Sequence, residues 1–99
     1  MSGYQFDATL YLWEATTATW VFVDLPFDVA DEIEDAQHGP RRGFGAVRVE
    51  VTVGATTWRT SIFPSQARKT FILPVKQAVM KTEGLAPGGA ASFRLTTVA

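Results

Sequence analysis

The chain has 99 residues, 46% of them hydrophobic, with nine basic side chains against ten acidic ones and no cysteine. That length supports one compact core, the composition excludes a disordered or low-complexity chain, and the missing thiols exclude a disulfide framework or a thiolate metal site. The start Met1-Ser2-Gly3-Tyr4 has no basic leader, and no apolar run approaches the roughly 20 residues of a spanning helix, so residues 1–99 read as a single cytoplasmic domain without membrane contact.

In the first segment Tyr4, Phe6, Ala8, Leu10 and Leu12 alternate with Gln5, Asp7 and Thr9, which predicts one half-buried strand. Glu14 to Ala18 turns the chain, and Trp20-Val21-Phe22-Val23-Asp24-Leu25 returns as an apolar strand covered on both faces and ended by Pro26. Between Asp28 and Ala36, Val29, Ile33 and Ala36 recur at helical spacing, with Asp28 as N-cap and Gly39 as stop. The loop that follows is abruptly basic at Arg41 and Arg42.

The clearest local signal is a hairpin over 44–63. Val47, Val49, Val51 and Val53 alternate with Arg48, Glu50 and Thr52, and Gly54-Ala55 forms a two-residue, glycine-first loop. That loop sets Val51 opposite Trp58, Val47 opposite Ile62, Glu50 opposite Arg59, Arg48 opposite Ser61 and Thr52 opposite Thr57. Phe63 to Arg68 reads as a loop, and Lys69–Leu73 as a short strand with Phe71 and Leu73 inward. Pro74 opens a helix with Val75, Ala78, Val79 and Thr82 inside and Gly84 as its stop. A last strand, Ala91–Val98, turns Phe93 and Leu95 inward. The expected order is ββαβββαβ, mainly β.

Four segments carry a family resemblance: 20–26 (WVFVDLP), 42–47 (RGFGAV), 58–64 (WRTSIFP) and 73–76 (LPVK), with Gly84-Leu85 before the Gly88 turn. The chain resembles a family of small bacterial and archaeal proteins known only as a domain of unknown function. The resemblance implies a double-split β-barrel, a pseudobarrel capped by two short helices, in proteins sometimes linked to YdeI/OmpD-associated bacteriocin-resistance domains. It supplies no catalytic residue, and Gly89 stands where the family pattern has an acidic residue.

Charge is lopsided: eight carboxylates and no Lys or Arg in residues 1–40, all nine Lys and Arg against Glu50 and Glu83 in the rest. Either the second half offers an anion-binding face, or the halves interleave and their charges mix. His38 lies in a Gly-Pro loop, Ser61 and Ser65 lack a nucleophile-elbow context, and Asp28, Asp31, Glu32 and Asp35 fit a solvated helix face. No catalytic, metal or cofactor set is assigned. The segment Arg42 to Val49 approaches an RNA-recognition submotif, but Ala46 and Val49 replace two stacking aromatics.

What remains is a binding or interaction module for an acidic or anionic partner, a protein or a small ligand. Its candidate residues are Arg41, Arg42, Phe44, Ser61, Arg68 and Lys69, because arginines beside an aromatic suit a carboxylate or phosphate. The competing reading has Phe44 and Phe63 closing the barrel while the arginines solubilise it. Nucleic-acid binding by analogy with AbrB-like double-split barrels is the alternative function, and an enzyme with an unrecognised site a second one. A chain that closes its own barrel favours a monomer. Trp20 and Trp58 are expected in the core, and Trp13, at a strand end, in solvent.

Overall fold

The computed structural model describes residues 3–14, 19–36 and 45–98. Its elements are β1 (Gly3–Thr9), β2 (Tyr11–Glu14), β3 (Thr19–Asp24), α1 (Phe27–Ala36), β4 (Val47–Val53), β5 (Thr56–Ser65), β6 (Thr70–Pro74), α2 (Gln77–Glu83) and β7 (Ala90–Thr97). The strands form one antiparallel sheet in the order β1-β7-β4-β5-β6-β3-β2. The two terminal strands of that order, β1 and β2, are joined by the single residue Leu10, so the sheet must curl until its ends meet. The fold is thus mainly β, a curled seven-stranded antiparallel sheet with two helices.

Leu10 explains the one difference in element order. The expected first strand is two strands, giving βββαβββαβ, because the Leu10 backbone pairs with neither sheet neighbour. Its N–H donates to the Gly89 carbonyl at 2.9 Å, and its own carbonyl accepts from the Gly88 N–H at 2.7 Å. The break changes which side chains are covered: Leu10 is buried, while Leu12, expected on the same inner face, is 48% exposed.

Inside the curl lie Val23, Val49, Val51, Ile62, Leu73, Phe93 and Leu95, all fully buried, with Phe6 stacked on Phe93 at 5.8 Å between centroids. The β4–β5 hairpin has the register the loop length dictates, including Val51↔Trp58, Glu50↔Arg59 and Thr52↔Thr57. Gly54 takes the required positive φ of 57°. Strand β5 runs further than its sequence suggests, through Phe63, Pro64 and Ser65, and pairs there with β6.

Helix α1 packs Val29, Ala30 and Ile33 against the core. Its first turn begins at Phe27, so Asp28 lies inside the helix instead of capping it, its carboxylate accepting the Val29 N–H at 3.0 Å. The Thr70 hydroxyl donates to the Leu25 carbonyl at 2.9 Å and the Leu25 N–H donates to the Phe71 carbonyl at 3.0 Å, which fixes the entry to α1 against β6. At the second helix Pro74 ends β6 and does not open α2, which starts at Gln77. Consequently Val75 and Val79 are buried but Ala78 and Thr82 face solvent. Gly84, at φ 67°, is the left-handed stop. Gly39 lies outside the described residues.

Candidate functional site

Side chains alternate across a strand, so the core positions Val21 and Val23 place Trp20, Phe22 and Asp24 on the outer face of β3. Register carries this outward face to its neighbours. Tyr11 and Trp13 of β2 stand opposite Phe22 and Trp20, Ile72 and Pro74 of β6 stand opposite Asp24 and Phe22, and Phe63 of β5 stands opposite Ile72. The outside of this half of the sheet is a layer of rings. Phe22 is its centre, with Tyr11, Trp13 and Trp20 at 6.1–6.2 Å between centroids, Trp20 lying nearly parallel to it at 15°.

This layer buries Phe22 but leaves its own rim in solvent: Trp13 is 54%, Trp20 47% and Phe63 40% exposed. Trp20 was expected in the core. It faces out because Val21 and Val23 turn the other face of β3 toward the core, which leaves Trp20 on the outer face with the rings. Between Tyr11, Trp13, Phe22, Ala67, Arg68 and Ile72 the layer encloses a hollow of about 400 Å³.

At one edge stands a fixed polar cluster. Tyr11 donates its hydroxyl hydrogen to Asp24 Oδ1 at 2.7 Å, and Arg68 meets Asp24 Oδ2 through Nε at 2.9 Å and a terminal nitrogen at 2.7 Å. The guanidinium carbon lies 4.3 Å from the Tyr11 ring centroid, a cation–π contact. Burial, and then the hydrogen bond to the Asp24 carboxylate, push the Tyr11 hydroxyl well above its ordinary pKa. This cluster holds its shape and carries no net charge. It also walls a second hollow of about 410 Å³ that runs toward Ala8, Leu25 and Phe27.

The residues singled out from sequence are distributed as follows. Arg41, Arg42 and Phe44 lie outside the described residues. Ser61 is half-buried on the outer row of β5, two places from Phe63 and opposite Arg48. Arg68 reaches the ring layer, but its charge is already answered by Asp24. Lys69 sits at positive φ, 61°, in the turn closed by its N–H to the Ser65 carbonyl at 2.8 Å, and it borders a different groove with Asp31 and Glu34. Trp13 is in solvent as expected but was assigned to no site, and sequence reasoning missed Tyr11, Phe22 and Asp24. The signal was present as two period-two pairs, Tyr11-x-Trp13 and Trp20-x-Phe22, hidden by treating residues 4–12 as one unbroken strand.

The molecule so described is a small curled-sheet domain with a ring-covered outer face. The chain belongs to the family described as Domain of unknown function (DUF1905), whose model matches residues 6–95. No curated protein matches the sequence.

Proposed function

We propose that this chain is a non-catalytic binding module whose recognition surface is the ring layer on β2, β3, β6 and the second half of β5. The observation that carries the reading is the grouping of Trp13, Trp20 and Phe63, each 40–54% exposed, on one face. Scattered apolar side chains need no explanation, whereas a contiguous patch rich in tryptophan marks a contact surface.

Cations at its borders support an acidic or anionic partner. Arg48 lies diagonal to Phe63 beyond Ser61, and Lys76 shares a hollow with Trp20. Ser61 and Arg68 belong to this surface by position, Lys69 to its edge, and Arg41, Arg42 and Phe44 are not required by it. The sheet curl and the strand break at Leu10 support the double-split β-barrel that the family resemblance implies. The cysteine-free sequence suits a reducing, cytoplasmic setting, and the family resemblance a bacterial or archaeal one.

The test compares three baits in native lysate: the wild-type chain, Trp13→Ala with Trp20→Ala, and Arg41→Ala with Arg42→Ala. Partners identified by mass spectrometry are expected to be lost from the tryptophan variant and kept by the arginine variant. The opposite pattern returns the site to the basic loop.

A further inference from the structure

We infer that the occupant of the ring layer is a peptide segment that pairs an apolar anchor side chain with flanking carboxylates. This rests on the binding-module reading above and adds the partner's chemistry to it. Two features of the face decide the class.

The first is the shape and polarity of the hollow. Tyr11, Trp13, Phe22, Ala67 and Ile72 give it mostly apolar walls, Ser65 adds one hydroxyl, and Arg68 stands at its rim, already oriented by Asp24 and by the Tyr11 ring. About 400 Å³ is at the small end of ligand pockets and suits a single large side chain. Half-exposed Trp beside Tyr and a stacked Arg is also the composition of protein-interface anchors.

The second is how the surrounding charge is disposed. Arg68 is neutralised by Asp24, Arg59 is paired with Glu50 at 3.2 Å, and Lys69 shares its groove with Asp31 and Glu34. Among the described residues Arg48 and Lys76 border the face with no ion pair, and the one described carboxylate on the face, Asp24, is already matched. Two cations without ion pairs at the borders of the ring-covered face, Lys76 beside Trp20 and Arg48 diagonal to Phe63, complement one or two carboxylates flanking an anchor. They make too thin a footprint for a polyanion, whose binding needs a stripe of Lys and Arg tracking successive phosphates. A second copy packed through the same face would bring these cations no unmatched described carboxylate, since Asp24 is already paired with Arg68.

The experiment is selection of random dodecapeptides displayed on phage against the intact chain, followed by titration of the winning synthetic peptides by tryptophan fluorescence and calorimetry. Enriched peptides are expected to place Leu, Phe or Trp within a few positions of Asp or Glu. Affinity should fall about tenfold or more in Trp13→Ala, and fall again with added salt or in Arg48→Glu and Lys76→Glu. Far-ultraviolet circular dichroism confirms that each variant is folded.

Peptides that need Trp13 yet carry no acidic residue would overturn the inference while leaving the face as the site. Winners indifferent to Trp13 and Trp20, or no winners at all, would overturn both. Tighter binding of oligothymidylate to the same face, or a dimer in sedimentation that Trp13→Ala dissolves, would assign the face to nucleic acid or to a second copy and overturn the peptide.

Discussion

Tyr11 is the residue in which packing and electrostatics meet. Its ring supports Phe22 and Arg68, and its hydroxyl is committed to Asp24 at 2.7 Å. An unfolded tyrosine ionises near pH ~10, but burial and the adjacent carboxylate hold the folded Tyr11 proton beyond that point. Where the unfolded chain has released this proton and the folded chain has not, the unfolded state binds fewer protons, so stability falls as pH rises. The contribution is complete below the unfolded value and is lost as pH climbs toward the folded one. Urea midpoints measured from neutral pH to about pH 11 should therefore decline in the wild type and decline less steeply in Tyr11→Phe. At neutral pH that variant should cost about 1 kcal/mol for the hydrogen bond taken from Asp24. Parallel pH profiles would show that Tyr11 ionises alike in both states. Nothing at this residue was legible in advance, since Asp24 and Arg68 are brought to Tyr11 by strand pairing from distant parts of the chain.

At the scale of elements, legibility followed how local the determinant is. The β4–β5 hairpin was readable residue by residue because a valine alternation and a two-residue loop fix each other's register. The start of α2 was not, because Pro74 suits either a first helical turn or an edge position, and its pairing with Phe22 of β3 makes it the end of β6. The same two elements offer a controlled comparison of glycines. Gly54 in the hairpin and Gly84 after α2 both have positive φ, 57° and 67°. A Cβ at Gly84 meets open space, whereas at Gly54 it runs into the Glu83 carboxylate that accepts the Thr56 hydroxyl and ties α2 to the hairpin. Gly84→Ala should cost about 1 kcal/mol, the backbone penalty alone. Gly54→Ala should cost about 1 kcal/mol more, for the displaced hydrogen bond. Equal losses in denaturant titrations would mean that the Glu83 contact contributes nothing.

The whole molecule is built around a seam. Strands from the acidic half stand at both ends of the sheet order and those of the basic half lie between them. Once the ends meet, the strands of the acidic half form one side of the curl and those of the basic half the other, and Asp24 with Arg68 is one ion pair across the halves. The sheet can curl this way because Leu10 leaves the line of β1 and gives its backbone to Gly88 and Gly89 before β2 begins. Hydropathy could not reveal the turn, since Phe6, Ala8, Leu10 and Leu12 keep perfect alternation across it and the groups that enforce it come from the far end of the chain. Two leucines of equal chemistry, two positions apart, now have opposite fates: Leu10 is 1% exposed and Leu12 48%. A continuous strand would bury both alike. Leu10→Ala should therefore cost about 2–5 kcal/mol, the range for emptying a packed leucine site. Leu12→Ala should cost under about 1 kcal/mol, as for an exposed position. Urea denaturation of the two variants measures the difference directly. Similar losses at both positions would mean that β1 and β2 run on as one strand and that the seam, with the outward turn of the rings beside it, is wrongly placed.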